Sequence, residues 1–166
     1  MKKITKSNIF VIAYLILWIL YLLLFTYIVL FKGTLDQVHE FVQVLQSDTD
    51  LAKQTVYLRP FESTKLFIEN WEYNYARLNL LGNIALFIPL GILIGVLYRG
   101  KKGIILSLLL GVILSLCYES IQYLYAIGEF DIDDILLNSL GSVLGNFTCI
   151  IVLFFNKVIM QKNIIK

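Results

Sequence analysis

The sequence predicts an all-α, polytopic membrane protein with four transmembrane helices and an extracytoplasmic loop that carries short amphipathic helices. The composition, the charge-free runs and the distribution of basic residues support this prediction. The 166 residues are 58% hydrophobic and 16% charged, and their mean hydropathy is +0.78. A water-soluble domain of this length exposes too large a share of its residues to bury that much apolar surface. The composition therefore favours a protein whose surface faces lipid.

Charged residues are so rare that four segments are long enough to cross a bilayer. Residues 7–31, 78–98 and 135–156 contain no charge, and residues 103–128 contain only Glu119. Each run reaches the roughly 20 residues that a helix needs to cross about 30 Å of hydrocarbon. The predicted transmembrane helices are 9–31, 79–98, 104–126 and 134–156.

The first apolar segment is interpreted as an anchor that stays, because its core is too long for a signal peptide and no small-residue cleavage site follows it. In the loop at 32–78, residues 33–46 carry apolar side chains at helical spacing, which is typical of an amphipathic helix on a membrane surface. A second short helix is predicted over 63–71, after Pro60. His39 is the one histidine of the chain, so no histidine pair exists to form a metal or catalytic site.

The basic residues are distributed unevenly between the two predicted sides of the membrane. Nine of the 14 would share one side, which has no acidic residue: Lys2, Lys3, Lys6, Arg99, Lys101, Lys102, Lys157, Lys162 and Lys166. Basic residues in short loops stay cytoplasmic. Both termini are therefore predicted inside, with 157–166 as a basic cytoplasmic tail, and the 32–78 loop and the 127–133 turn outside. These clusters flank membrane spans and do not indicate nucleic-acid binding.

Small and polar residues form one stripe on each of the last three predicted helices. Residues three or four apart share a helix face, and glycines at that spacing let helix backbones approach closely. The stripes are Asn79, Asn83, Gly91 and Gly95 in the second helix, Gly111, Ser115, Glu119, Gln122 and Ala126 in the third, and Asp134, Asn138, Gly141 and Gly145 in the fourth. We expect these helices to meet along the stripes, with Pro89 kinking the second helix.

The polar members of these stripes would all lie in the outer half of the membrane. Glu119 would sit roughly 10 Å below the outer end of its helix, where a carboxylate is costly unless it has a partner. The inner half is expected to hold nothing comparable. The sequence therefore predicts an outward-facing polar vestibule formed by Asn79, Asn83, Glu119, Gln122, Asp131, Asp134 and Asn138.

Structural roles stay open for several of these residues. Asp131 and Asp134 match a capping pair at a helix start, where carboxylates suit the positive end of the helix dipole. The amides are also compatible with hydrogen bonds that only join helices. Asp133 is expected to face solvent. Cys117 and Cys149 fall at different depths, which argues against a disulfide, and no metal site or cofactor is predicted.

Four motifs resemble the VanZ-like family of small multi-pass bacterial membrane proteins. They are LRPF at 58–61, NLLGNIALFIPLG at 79–91, ESIQ at 119–122 and DIDDILLNSLGSVLG at 131–145. Two departures are visible: the family's arginine before the first aspartate is missing from AIGEF at 126–130, and Tyr57 stands where the motif before Pro60 often begins with Asn. The resemblance implies a single VanZ-like domain over 1–156 in the bacterial cytoplasmic membrane.

The resemblance also implies a role in tolerance to lipoglycopeptide antibiotics, stronger for teicoplanin than for vancomycin, and brings no catalytic residues with it. Teicoplanin carries an acyl tail and acts on lipid-linked cell-wall precursor outside the membrane. The expected partners are accordingly the bilayer and the antibiotic, the precursor or a neighbouring lipid. The alternative is a membrane enzyme with Glu119 as acid–base and Asp134 or Asp131 holding Mg²⁺ or Mn²⁺. A transporter is disfavoured by the lack of inner polar residues, and a scaffold subunit stays open.

Overall fold

The computed structural model describes residues 6–30, 56–125 and 128–164, with side chains over 9–28, 56–125 and 128–155. In chain order the elements are α1 (Lys6–Leu30), β1 (Val56–Tyr57), α2 (Glu62–Glu69), α3 (Asn74–Leu97), α4 (Gly100–Leu124), β2 (Phe130–Asp131) and α5 (Ile132–Ile164). The all-α class is confirmed. The amphipathic helix predicted over 33–46, His39 and Ala126 lie outside the described residues.

Four of these helices are long and apolar enough to cross a membrane: Ile9–Ile28, Asn74–Leu97, Gly100–Leu124 and Ile132–Phe155. This confirms the predicted number of spans in the described part of the chain. The second span begins at Asn74, five residues before its predicted start, because the more polar residues 74–78 also belong to the helix. The last helix extends to Ile164, so the predicted tail begins as helix. The short helix predicted after Pro60 is α2.

Helices α3 and α5 touch through their backbones. A Cβ atom added at Gly91 would lie 1.8 Å from the carbonyl oxygen of Ser142, and one added at Gly145 would lie 2.0 Å from that of Ile88. Gly141 is equally close to Ile84, at 2.1 Å from its carbonyl oxygen. Because any larger side chain would collide with backbone, these contacts require glycine.

Helix α4 packs against the same pair with a face of small and polar residues. Its buried residues recur every four positions and are Gly103, Ser107, Gly111, Ser115 and Glu119. Its apolar residues, such as Leu109 and Ile113, are exposed, as expected for a surface in contact with lipid. The core of the bundle is therefore more polar than its surface.

Helix α1 lies at the periphery and uses mainly aromatic side chains for its contacts. The ring of Phe25 meets Phe87 edge-on, with centroids 4.8 Å apart, and Tyr118, with centroids 4.9 Å apart. The Tyr14 hydroxyl donates to the carbonyl oxygen of Leu93 at 2.8 Å, and the Tyr21 hydroxyl makes a similar bond at 3.2 Å to α3.

The segment before α2 is tied to the hairpin between α4 and α5. Strands β1 and β2 pair in parallel, with Val56 opposite Phe130 and Tyr57 opposite Asp131. We call residues 56–64 together with 128–131 the cover. The pairing brings the cover to the start of α5, above the polar residues of the core.

Candidate polar site

Asp133 anchors the cover to the bundle, and the expectation that it faces solvent was wrong. Its side chain is 1% exposed. Its carboxylate accepts hydrogen bonds from the backbone N–H of Phe61 at 2.6 Å, from the Ser63 hydroxyl at 2.9 Å and from the backbone N–H of Thr64 at 2.8 Å. A carboxylate at the N-terminus of a helix satisfies otherwise unpaired N–H groups and suits the helix dipole. Asp133 therefore caps α2 from the first turn of another helix, α5.

Asp131 makes the predicted helix-capping contact. Its carboxylate oxygen Oδ1 accepts a hydrogen bond from the backbone N–H of Asp133 at 2.8 Å, at the start of α5. Its own backbone N–H donates to Glu119 Oε2 at 3.1 Å, which ties β2 to α4. Burial raises the pKa of the Asp131 carboxyl. This group therefore stabilises the fold most when it is protonated, and less as the pH rises through that raised pKa.

Five of the seven predicted site residues line one cavity beneath the cover. They are Asn83, Glu119, Gln122, Asp134 and Asn138, and the apolar side of the cavity is formed by Phe25, Leu86, Phe87 and Tyr118. The cavity has a volume of about 20 Å³, which is room for one water molecule. We call this space the carboxylate cavity. It places two acidic side chains against three aromatic rings.

Hydrogen bonds between helices hold the polar wall of the carboxylate cavity. The Asn83 amide on α3 donates to the Asp134 carboxylate on α5. Asn138 Nδ2 donates to the Ser115 hydroxyl on α4 at 2.8 Å. Both amides thus join helices while they line the cavity. The amide oxygen of Asn138 has no hydrogen-bond partner among the described residues, although the side chain is only 7% exposed.

The other predicted residues lie outside the lining of this cavity. Asn79 is half-buried on α3, and its amide donates to the carbonyl oxygen of Tyr75 on the same helix. Pro89 is exposed on α3, which runs through it without a break. Gly95 faces Cys149, whose Cβ would lie 2.8 Å from an added Cβ, and Gly111 faces Ser139.

A second group of buried polar residues lies nearer the α3–α4 turn, so the expectation that this half holds nothing comparable was wrong. The Ser142 hydroxyl donates to the carbonyl oxygen of Ser107 at 2.9 Å. Asn146 is fully buried, and neither its amide nitrogen nor its amide oxygen has a partner among the described residues. The missed signal is spacing, because Asn138, Ser142 and Asn146 follow one another at four-residue intervals.

The described side chains do not assemble a recognisable metal site. Among residues 9–28, 56–125 and 128–155, no group of three or more His, Cys, Asp or Glu side chains is placed to hold a metal ion. Cys117 and Cys149 are both free thiols, the first exposed and the second buried. The polar side chains that line the carboxylate cavity are two carboxylates, three amides and the Tyr118 phenol.

Fold and site together define a multi-pass membrane protein in which three glycine-packed helices and Phe25 of α1 line a cavity that contains two carboxylates. The chain belongs to the VanZ/LLP1 family, whose model matches residues 12–155. This confirms the resemblance seen in its motifs. Among curated proteins, Protein VanZ of Enterococcus faecium is 30% identical over 126 residues, which is 76% of this chain. The match spans 66% of that relative's length, just under two thirds. No solved structure matches the chain.

Proposed function

We propose that this protein contributes to tolerance of teicoplanin-type lipoglycopeptides through the carboxylate cavity. Membership of the VanZ/LLP1 family supports the role. The observation that carries the mechanism is the convergence of Asn83, Glu119 and Asp134 from three helices on one cavity. A buried polar cluster of this kind in a membrane bundle is a functional site by default, because it is costly to keep in hydrocarbon.

The cavity acts, in this proposal, from the outer half of the bacterial cytoplasmic membrane, with both termini in the cytoplasm. The basic residues of the α3–α4 turn and of the two termini support that orientation. The cavity lies at the opposite ends of α3 and α4 from that turn, under the cover. Lipoglycopeptides and their lipid-linked target meet on the same outer side.

The size of the cavity limits what it engages. About 20 Å³ admits one small polar group and excludes an acyl chain or a glycopeptide as a whole. The group bound is therefore one polar end of an antibiotic, a cell-wall precursor or a lipid. The remainder of that molecule stays in the leaflet or above the cover.

Antibiotic susceptibility of a sensitive host tests the proposal. Cells that express the wild type, Glu119→Gln or Asp134→Asn are compared for inhibition by teicoplanin and by vancomycin. We expect selective protection against teicoplanin from the wild type, and susceptibility equal to that of empty-vector cells from both variants. Each change keeps the size of the side chain, removes its charge and replaces one acceptor oxygen by an NH₂ donor.

Ser120→Ala is the matched control for this experiment. Ser120 is next to Glu119, and its hydroxyl bonds to Leu116 of its own helix outside the cavity. The control should protect as the wild type does, with membrane levels of all variants measured by immunoblot. Full protection by Glu119→Gln and Asp134→Asn at equal protein levels would refute a role for the cavity.

The orientation has a separate test by thiol labelling. In a Cys117→Ser background, cysteines at the half-buried positions Asn79 and Gln122 should react with a membrane-impermeant reagent added to whole cells. A cysteine at Tyr98, in the α3–α4 turn, should react only after the cells are opened. The reverse pattern would place the cavity on the cytoplasmic side and end the proposal.

A membrane-embedded enzyme acting on an outer-leaflet lipid or glycan is the second candidate. The observation in its favour is that Glu119 and Asp134 line the same cavity, since paired carboxylates perform acid–base chemistry when their environments differ. Mass spectrometry of lipids and cell-wall precursors distinguishes the two candidates. An altered profile that disappears in Glu119→Gln would favour the enzyme, and an unchanged profile favours binding alone.

A further inference from the structure

We infer that the group bound in the carboxylate cavity is a primary ammonium, the –NH₃⁺ end of an amine. The inference deepens the proposed function, on which it rests, by naming the chemical class of ligand for the same cavity. Three features carry it: the set of acceptor oxygens, the position of the aromatic rings and the size of the space.

The polar wall offers acceptors from three side chains. Glu119 and Asp134 line the cavity with carboxylates, and Asn138 lines it with an amide whose oxygen is buried. That amide oxygen is an independent sign of a ligand, because it is buried in the lining with no partner among the described residues. A primary ammonium carries three N–H donors and no acceptor, so its donors match this number of acceptor side chains.

The aromatic part of the lining suits the organic part of an amine. Phe25 packs edge-on against both Phe87 and Tyr118, so the three rings form one cluster in the lining. Aromatic rings attract organic cations and also accept the CH₂ group next to the nitrogen. The lining thus offers groups for the charge and groups for the stem.

Size and shape separate a primary ammonium from other cations. An –NH₃⁺ group is close to a water molecule in size, which is what about 20 Å³ admits. A quaternary ammonium carries additional methyl groups and exceeds that space. A metal ion takes oxygen ligands on all sides, whereas the side chains of Phe25, Leu86 and Phe87 in this lining offer none.

Thermal unfolding of the purified full-length protein in detergent tests the inference. Methylammonium chloride, tetramethylammonium chloride and sodium chloride are compared at equal concentration. We expect methylammonium to raise the Tm by roughly 5–10 °C at 100 times its Kd, with no specific rise from the other two salts. Equal effects of the three salts, or a rise with sodium alone, would overturn the inference.

Variants show whether the effect arises in the carboxylate cavity. Glu119→Gln and Asn138→Ala should each lose the methylammonium shift, and Ser120→Ala should keep it. If Glu119→Gln does not fold, Asn138→Ala and the comparison of salts on the wild type still decide the question. A full shift in Asn138→Ala would refute this site.

Lipid nanodiscs distinguish the two sources of such a group, a lipid headgroup and a soluble amine. The protein is placed in discs of phosphatidylglycerol alone or with phosphatidylethanolamine, whose headgroup ends in a primary ammonium. Stabilisation by phosphatidylethanolamine that methylammonium does not increase supports the lipid source. A methylammonium shift of equal size in both discs supports the soluble source. If neither phosphatidylethanolamine nor methylammonium raises the Tm in any disc, the inference is overturned.

The inference and the proposed function fail in different experiments. Methylammonium binding that depends on Glu119, in a protein whose Glu119→Gln variant still protects cells from teicoplanin, would refute the function and leave the ligand class intact. Loss of protection in that variant, with no response to any amine, would refute the ligand class alone.

Discussion

Helix α1 and the bundle of α3, α4 and α5 are all apolar enough to cross a membrane, but opposite kinds of residue make their contacts. Only 6% of an 18-residue apolar stretch of α1 is buried, compared with 44% of the corresponding stretch of α5. What α1 does bury is aromatic, as at Phe25, which packs on Phe87 and Tyr118. Besides Leu90 and Ile94, the bundle buries glycines, serines and amides, with backbone touching backbone at Gly91 and Gly145.

The difference shows what stabilises helices against each other in lipid. Apolar side chains are as well solvated by lipid as by protein, so they supply little driving force for association within the membrane. Close backbone packing and hydrogen bonds supply it instead. Helix α1 is then an anchor attached to the side of a bundle that is held together by small and polar residues.

The largest expected effect comes from enlarging a glycine in the bundle. Gly91→Ala would place a Cβ 1.8 Å from the Ser142 carbonyl oxygen, so α3 and α5 must separate. We expect a loss of about 3 kcal/mol or more in the free energy of unfolding in mixed micelles, or failure to fold. Gly82→Ala on the same helix is the control, since a Cβ there meets nothing within 4 Å. It should be neutral or stabilising by up to about 1 kcal/mol. Equal effects would contradict the close packing.

The bundle was more predictable from the sequence than the cover was. Charge-free runs identify the spans, because every residue of a span must be compatible with lipid. Four-residue spacing identifies the buried face of each helix. Asn83, Glu119 and Asn138 lie on these faces and line one cavity. The same spacing continues through Ser107 and Asn146, and ignoring it was an error of interpretation rather than a limit of the sequence.

The role of Asp133 was beyond the reach of these patterns. Its partners in the cover lie 69–72 positions earlier in the chain. No periodicity connects two segments that far apart. Strands β1 and β2 have only two residues each, too few for an alternating pattern. An acid at a helix start is therefore compatible both with exposure to solvent and with capping another helix.

An intermediate effect is expected from removing the Asp133 carboxylate. If apolar contacts held the cover as they hold α1, this change would cost little. Asp133→Ala instead deletes three hydrogen bonds to a charged acceptor, so we expect a loss of roughly 3 kcal/mol. Hydrogen exchange should show lost protection at the backbone N–H groups of Phe61 and Thr64. Glu129→Ala changes an exposed acid of the same hairpin and should leave their protection unaltered.

The smallest effect is expected where α1 meets the bundle. The Tyr14 hydroxyl donates to the carbonyl oxygen of Leu93, and Tyr14→Phe removes that bond while it keeps the ring. Single hydrogen bonds between membrane helices contribute about 1 kcal/mol, so the free energy of unfolding should fall by about that amount. Leu15→Ala, on the exposed side of α1, should change it less. A loss from Tyr14→Phe as large as that from Gly91→Ala would mean that α1 belongs to the core. The separation between an aromatic anchor and a polar bundle would then no longer describe this protein.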